Sequence, residues 1–444
     1  MPADFLTAMA AHSRQRAAEL VVPLAGPEPL PAPRAGVIAE VKRVSPSVGT
    51  LSEDGTEALV QRAVAYADAG AAAVSVLTEP TRFGGSLEHL QAIAAALRPL
   101  GVPVLRKDFL VDPRQVHEAH AAGASGVLLV ARIVDDTTLL TLLETADRLG
   151  LFCLIEAFGA DDLQRIARLP HLERHLVGVN SRDLATLQVD PTRLGRLAPL
   201  LPHCAGRVAE SGLHTAGDAR RAGALGYGLA LVGTALMRSE DPGPTVAALT
   251  TGLARPVQIK ICGLQRPEDV DAAVAAGADA VGFVLVSSSR QVTLDQAVAL
   301  AARLPDEVLP VAVFRDARGE LAERARARGF VVQGEGGDLP VLVDGPDLEH
   351  RASQLDSAQR VVLVDGPAPG SGRPAVPGRV AAVSRHRVVV LAGGLTPTNV
   401  AAAVEALRPA GVDVSSGVEH AGHKSPELIH AFVHAAHAAL ERLS

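Results

Sequence analysis

The sequence predicts an α/β protein made of two fused (β/α)8 barrels of the TIM-barrel type, and three observations predict it. At 444 residues the chain is long for one domain and comfortable for two. Short Val/Leu/Ile runs alternate with Ala-rich helical stretches, and eight such β-then-α units fill roughly 200–250 residues, the size of one barrel. The rhythm then restarts at Arg255-Pro-Val-Gln-Ile-Lys-Ile-Cys-Gly-Leu264, which puts the boundary near Ala254, with residues 1–253 in the first barrel and 254–444 in the second. An open doubly wound sheet is the competing architecture, weakened because no Gly-x-Gly-x-x-Gly follows the first strand.

Candidate strands of the first half are 37–41, 73–77, 103–106, 126–130, 152–156, 176–180, 207–210 and 229–233. Amphipathic segments at 57–69, 87–97, 113–122 and 137–149 separate the early ones, and 245–253 reads as a last helix. The second half repeats the rhythm more compactly, at 257–261, 280–285, 309–314, 330–332, 340–343, 361–365, 388–391 and 412–415. Two of its helices read as short or missing. Gln333-Gly-Glu-Gly-Gly-Asp-Leu-Pro340 is too brief and Gly-rich for one, and 367–378 is a Pro/Gly loop.

The composition agrees. Hydrophobic residues make up 48% of the chain, with 2% aromatic and no Trp, so its cores must be built from Val, Leu, Ile and Ala. Parallel sheets covered on both faces require such cores. No apolar run reaches membrane-spanning length, and Met1-Pro-Ala-Asp-Phe5 lacks the basic-then-apolar pattern of a signal peptide. The three cysteines include no CxxC pair, which fits a reducing cytoplasm without disulfides. A net charge of −7 argues against nucleic acid as the main partner, while local basic residues remain able to bind small anions. No membrane partner is expected. The oligomeric state stays open, a monomer being compatible with everything above.

Side chains alternate faces along a strand, so Glu40 and Lys42 project to one side at the end of the first. Lys107 ends the third strand, Glu156 the fifth, Asn180 the sixth and Glu210 the seventh. Any one of these reads equally well as a solvated residue where strand gives way to loop. In a barrel all of these ends converge on one mouth, and six such residues there are a joint signal. A mouth holding carboxylates and ammonium groups together can keep both charged and move protons between them. Ser211-Gly212 and Gly233-Thr234 follow the seventh and eighth strands, where barrels commonly hold phosphate on backbone N–H groups.

Five segments carry a family resemblance: Glu40-Val-Lys-Arg-Val-Ser-Pro-Ser47, Leu105-Arg-Lys-Asp-Phe109, Gly178-Val-Asn-Ser-Arg-Asp-Leu184, Ala209-Glu-Ser-Gly212 and Leu231-Val-Gly-Thr-Ala-Leu-Met237. Together, in order and across the first half, they closely resemble indole-3-glycerol-phosphate synthase. The resemblance implies ring closure of an anthranilate-bearing deoxyribulose phosphate with loss of CO2 and water. It makes Lys107 the general acid at the ketone and Glu156 the proton acceptor in the dehydration. It gives Lys42 the departing carboxylate, Glu40, Asn180 and Glu210 the shaping of the site, and Ser211, Gly212, Gly233 and Thr234 the phosphate. One departure is Phe158, where the family often has His.

In the second half Cys262 follows the first apolar run. A lone Cys there is usually core, and a base role requires a local depression of its pKa. Asp365 ends the sixth strand, but Asp344 closes the same pattern at the fifth, so spacing leaves the acid ambiguous. The loop Pro369-Gly-Ser-Gly-Arg373 favours Asp365. That loop lacks the Lys-Ser/Thr pair of a Walker phosphate loop. Gly393-Gly394 and Ser416-Gly417 repeat the phosphate-site logic.

Lys260-Ile-Cys-Gly-Leu264, Gly282-Phe-Val-Leu285 running on to Ser289-Arg290, Leu391-Ala-Gly-Gly-Leu395 with Asn399-Val400, and Asp413-Val-Ser-Ser-Gly-Val-Glu419 resemble phosphoribosylanthranilate isomerase. The resemblance implies an Amadori rearrangement in which Asp365 protonates the ribose ring oxygen, Cys262 removes the neighbouring carbon's proton and Arg290 binds the anthranilate carboxylate. It departs from the family at Gln333-Gly-Glu-Gly336, where Gln-Leu-His-Gly is usual, and in lacking a Phe-Asp-Trp-like stretch. It departs again at His423-Lys424-Ser425, where Lys-Asp is usual. His430, His434 and His437 share one face of the final helix, and with no carboxylate at HExxH spacing a packing or surface role outweighs metal binding.

The whole therefore reads as a bifunctional tryptophan-biosynthesis enzyme acting on small sugar phosphates, with no cofactor or metal called for by either proton-transfer reaction. One rival is an active synthase fused to a degenerate, non-catalytic isomerase barrel; another is a non-catalytic sugar-phosphate-binding protein. A third, a related aminoketose of histidine synthesis as substrate of the second barrel, would favour Asp over Cys at position 262.

Overall fold

The computed structural model describes residues 5–21, 26–45, 49–51, 55–183, 186–190, 192–254, 257–305, 307–355, 359, 361–367 and 375–443. It falls into two compact units, one of residues 1–219 and 227–254, the other of 220–226 and 255–444.

In the first unit eight parallel strands form a closed barrel: β1 (Gly36–Val41), β2 (Ala73–Leu77), β3 (Val104–Lys107), β4 (Gly126–Val130), β5 (Phe152–Ala157), β6 (Leu176–Asn180), β7 (Gly206–Glu210) and β8 (Leu229–Val232). Closure is made by β1, which pairs with β2 (Ile38↔Ala73) and with β8 (Gly36↔Leu229). These strands are buried on both faces, as their continuous Val/Leu/Ile/Ala runs demand. The helices start where the sequence supplies caps. Ser86 accepts from His89 N ahead of Leu87–Leu97, and Asp112 with Gln115 forms a capping box on Pro113–Ala121, which has Pro in its first turn.

One element is not legible from periodicity. A helix, Phe5–Ala18, precedes the barrel and buries Leu6, Met9, Ala10, Ser13 and Ala17. Its inward face is mostly Ala and Ser, so it shows little apolar contrast with the outward face.

The second unit carries β9 (Ile259–Cys262), β10 (Ala280–Val284), β11 (Leu309–Asp316), β12 (Val331–Glu335), β13 (Val341–Val343), β14 (Val361–Asp365), β15 (Val388–Leu391) and β16 (Gly411–Val414). They form one parallel sheet in the order β12-β11-β10-β9-β16-β15-β14-β13. Its two ends meet through a single bridge, Gln333↔Leu339, so the barrel is nearly closed. The fourth connection has no helix, as the glycines predict: Gly334 and Gly336 take φ of 144° and 73° in a turn that leads directly into β13. The sixth connection departs from the loop expected over 367–378, because a helix, Pro377–Ser384, opens within that span on a Pro in its first turn. Residues 368–374, including the loop 369–373, lie outside the described residues. Among the described residues no helix is long and apolar enough to cross a membrane.

Candidate functional site

The first barrel's mouth is a cavity of about 120 Å³. It is lined by all six strand-end residues, Glu40, Lys42, Lys107, Glu156, Asn180 and Glu210, and by both expected phosphate segments, Ser211-Gly212 and Gly233-Thr234. Parallel strands bring this about, since every carboxyl end opens on the same rim.

At its centre the Lys107 ammonium donates to Glu210 Oε2 at 3.1 Å and lies 3.6 Å from Glu156 Oε1. Asn180 Nδ2 donates to the same Glu156 oxygen at 2.9 Å, and Asn180 Oδ1 accepts from Arg182 N at 2.9 Å, which fixes the amide's orientation. Lys42 Nζ donates to Glu40 Oε1 at 2.6 Å, as their spacing of two predicts. Burial pulls the Lys107 ammonium down, but Glu210, Glu156 and Glu40 outweigh it, so its pKa is raised and it keeps its proton. Glu40 is lowered: burial works against the carboxylate, and the Lys42 and Lys107 charges prevail.

Glu210 goes the other way. Burial, reinforced by the Glu156 carboxylate against the pull of Lys107, pushes it up to about 8. Its Oε1 is buried with no donor. A proton held between Glu156 and Glu210 resolves both facts. Below about pH 4.5 this carboxyl is protonated whether folded or not; between there and pH 8 only the folded form keeps the proton. Stability from this group is therefore lost as pH rises through that window. Glu210→Gln is expected to flatten the fall in melting temperature between pH 5 and 8, and melting curves parallel to wild type would contradict the protonated state.

The phosphate segments are conformationally specialised. Ser211 and Gly212 both adopt left-handed φ, 66° and 78°, a conformation that Gly takes freely and Ser rarely. At Gly233 an added Cβ would strike Glu40 Oε1 and come within 2.7 Å of Lys42 Nζ. Gly233→Ala is expected to disturb that ion pair and the segment expected to hold phosphate together, lowering cyclisation kcat/KM roughly tenfold or more and costing about 1–3 kcal/mol, checked by kinetics and denaturant titration.

Sequence reasoning missed two features. Phe5, Phe83 and Phe109 line the same cavity with ring centroids 6.1–6.4 Å apart, an apolar cluster packed largely edge to face in a chain with only nine Phe. The signal was there in the scarcity of aromatics. The second is Asp108, beside Lys107 and pointing to the opposite face of its strand's continuation. It accepts a fork from Arg16 (2.9 and 2.7 Å), a bond from Thr78 (2.7 Å) and one from Arg106 (3.2 Å). These partners overcome its burial and hold it down to about 2. The network ties the N-terminal helix to the strand end that carries Lys107.

In the second barrel Cys262 is the last residue of β9, buried, and bonded through its carbonyl to Ser415 Oγ at 3.1 Å. Two features here bear on the expected roles. A base role called for a depressed thiol pKa; burial instead raises it, with Lys260 opposing. Arg290, expected to offer its fork to a carboxylate, already gives Nε and Nη2 to Glu419 at 2.6 and 2.8 Å. Glu419 also takes Lys424 Nζ at 2.7 Å. The reason is topological: the loop after β16 returns Glu419 over the β10 exit, a pairing invisible at a separation of 129 residues.

The two aspartates differ in their surroundings. Asp344 is fully engaged, accepting from Arg379 Nε and Nη2 (2.6 and 3.0 Å) and from Val376 N (2.8 Å), and is held low chiefly by Arg379. Asp365 accepts only Gly366 N (2.7 Å), and burial with nearby Asp413 raises it, the state a proton donor needs. Asp344→Asn is expected to cost about 1–3 kcal/mol while leaving isomerisation within a few-fold of wild type, read by thermal melts and initial rates.

Gly393 and Gly394 turn with φ of 83° and 65°, and a Cβ on Gly393 would stand 2.5 Å from Asp365 Oδ1. Gly417 backs directly on the Leu395 carbonyl, so the loops after β15 and β16 meet, and Ser416 opens the short turn there. Among the described residues no group of three or more His, Cys, Asp or Glu could hold a metal, and His430 and His434 are exposed while His437 meets Gly277 O at 3.3 Å.

Comparisons with known proteins follow the same division. The family described as indole-3-glycerol phosphate synthase matches residues 12–249, and that described as N-(5'phosphoribosyl)anthranilate (PRA) isomerase matches residues 342–435. The chain is 43% identical over 224 residues to the indole-3-glycerol phosphate synthase of Mycobacterium avium, covering 50% of this chain and 79% of that protein. To that of Mycolicibacterium smegmatis it is 43% identical over 243 residues, covering 55% and 86%. A solved structure of the phosphoribosyl anthranilate isomerase from Thermus thermophilus aligns at 33% identity over 41% of this chain and 98% of that one, with a TM-score of 0.36. A chain matched over more than half its length by one family belongs to it, and this chain belongs to the indole-3-glycerol phosphate synthase family, with similarity to the phosphoribosylanthranilate isomerase family over residues 342–435.

Proposed function

We propose that the chain catalyses two consecutive steps of tryptophan biosynthesis as a cytoplasmic enzyme acting on small sugar phosphates. The second barrel isomerises N-(5-phosphoribosyl)anthranilate to the carboxyphenylamino-deoxyribulose phosphate, and the first closes that ketone to indole-3-glycerol phosphate. The observation that carries the reading is the shared cavity of the first barrel, where an ammonium kept protonated by its acidic neighbours Glu210, Glu156 and Glu40 sits beside the glycine segments proposed to hold the phosphate.

In the synthase, Ser211, Gly212, Gly233 and Thr234 hold the phosphate and Lys42 the carboxylate, so the substrate is gripped at both ends and its ring carbon is brought to the ketone. The aromatic cluster of Phe5, Phe83 and Phe109 is suited to the anthranilate ring. As the new carbon–carbon bond forms, negative charge grows on the ketone oxygen, and Lys107 stabilises and protonates it. CO2 leaves from the carbon next to Lys42 and its electron pair re-forms the ring's π system. Loss of water follows: Lys42 gives a second proton to the hydroxyl, which leaves as water, while Glu156, steadied by Asn180, takes a proton from the adjacent carbon and that electron pair forms the ring double bond.

In the isomerase, Asp365 gives its proton to the ribose ring oxygen while the carbon–oxygen bond breaks and the nitrogen lone pair forms an iminium. The Cys262 sulfur then takes the proton from the neighbouring carbon, and the electron pair generates an enolamine that tautomerises to the ketone. Arg290 meets the anthranilate carboxylate with the part of its guanidinium that Glu419 leaves open. Both reactions are proton transfers with a built-in leaving group, and neither calls for a cofactor.

Growth tests check this. The intact gene is expected to rescue two tryptophan auxotrophs, each lacking one step. Rescue of the synthase auxotroph alone would support the degenerate-isomerase reading, and rescue of neither would sink the proposal.

A further inference from the structure

Lys260 belongs to no role described so far, yet it is among the most deeply buried charged side chains of the protein, with no exposed surface. It stands two residues before Cys262 on β9, so both side chains leave the strand on the same face. Its ammonium donates to Asp413 Oδ1 at 2.8 Å across the β9–β16 pairing, which sets Lys260 directly opposite Asp413. On the other flank β10 offers Gly282, paired with Cys262. The position of a Cβ there would be 2.8 Å from Cys262 Sγ and 3.1 Å from Lys260 Nζ, so sulfur and ammonium crowd one small space that exists because residue 282 has no side chain.

We propose that Lys260 is a positioning residue for Cys262: its ammonium, clamped by Asp413, orients the sulfur and supplies the charge that lets it act as a base. This rests on the isomerase reading of the site and goes beyond it by assigning the group that makes the thiol competent. A buried ion pair is a poor device for stability, because desolvating both charges offsets most of their attraction. A role in holding one neighbouring sulfur explains its placement near the carboxyl end of the strand better than stability does.

The groups around the sulfur are few. Lys260 acts on it by charge and by hydrogen bond, Asp413 from β16 opposes by charge alone, and Lys424 from the loop after β16 adds a more distant positive charge. Arg290 lies within electrostatic reach as well, its own charge engaged by Glu419. Asp365 on β14 feels the same Lys260 and Asp413 charges. β10 contributes only Gly282. Burial raises the thiol, and Lys260 is the largest force resisting that rise.

The test uses the full chain. Iodoacetamide labelling of the Cys262 peptide, quantified by mass spectrometry from pH 6 to 10, gives the thiol's ionisation midpoint without needing turnover. K260M is expected to move that midpoint up by about one pH unit or more, and to shift the rising limb of the isomerase pH–rate profile with it. K260M leaves Asp413 buried and unpaired, so K260M/D413N is measured alongside. With no orphaned charge it is expected to melt near wild type, and its midpoint should still lie above wild type though below K260M. A midpoint unmoved in the double variant would make Lys260 merely a structural partner of Asp413 and overturn the proposal. If wild type shows no isomerase turnover while the midpoints shift as described, the isomerase reading fails and the Lys260–Cys262 coupling stands. Turnover in wild type with unshifted midpoints means the reverse.

Discussion

Lys107→Met is expected to lower kcat for indole-ring closure by about three orders of magnitude while leaving isomerisation untouched. The size follows from what is removed: a positioned general acid contributes roughly 10²–10⁴ in rate, and here it is also the only ammonium bridging Glu156 and Glu210 among the described contacts. The loss should fall mainly on kcat, because the phosphate and carboxylate grips that govern binding lie on other strands. Stability should change little in either direction at neutral pH. The charge lost is buried, but Glu210 already holds a proton there, so only one carboxylate is left without its partner. A steady-state assay following indole-3-glycerol phosphate, with a melt on the same sample, checks both parts. A variant with near-normal kcat and raised KM would move the acid to another residue.

Cys262→Ala and Asp365→Asn are expected to abolish isomerisation to a similar degree, each by about 10³ or more, with ring closure from pre-formed ketone unaffected. The two variants should differ in stability. Cys262 is buried against Gly282 and its loss removes little volume, whereas Asp365 is half-buried, raised and short of partners, so replacing it with a neutral amide relieves burial strain. Asp365→Asn should therefore melt at or above wild type at any pH where the wild-type carboxyl is charged, since burial disfavours that form. An isomerase that tolerates Asp365→Asn but fails with Asp344→Asn would reverse the assignment of the acid.

Much of this site could be read from strand ends alone. Glu40, Lys107, Glu156, Asn180 and Glu210 each follow an apolar run, and a parallel barrel sends every such end to one rim, so convergence follows from topology and needs no knowledge of loops. The Glu40–Lys42 bond is likewise a consequence of period-two alternation. What stayed hidden was set by residues far apart in sequence. Arg379 engages Asp344, Glu419 engages Arg290, and Arg16 ties down Asp108 from a helix whose buried face mixes Leu6 and Met9 with Ala and Ser and so gave little periodic signal. The sign of the Cys262 shift was equally out of reach, because it depends on how deeply β9 is covered and on which neighbour faces Lys260.

The central claim is that two independent sets of ionisable groups share one chain, each complete for its own reaction. Mixing purified Lys107→Met with purified Cys262→Ala and supplying N-(5-phosphoribosyl)anthranilate tests it in one vessel. Neither variant alone should form indole-3-glycerol phosphate at more than about a thousandth of the wild-type rate, and the mixture should form it readily, since the first variant still makes the ketone and the second still closes it. A mixture as inert as its components, or a single variant that completes both steps, would contradict the account.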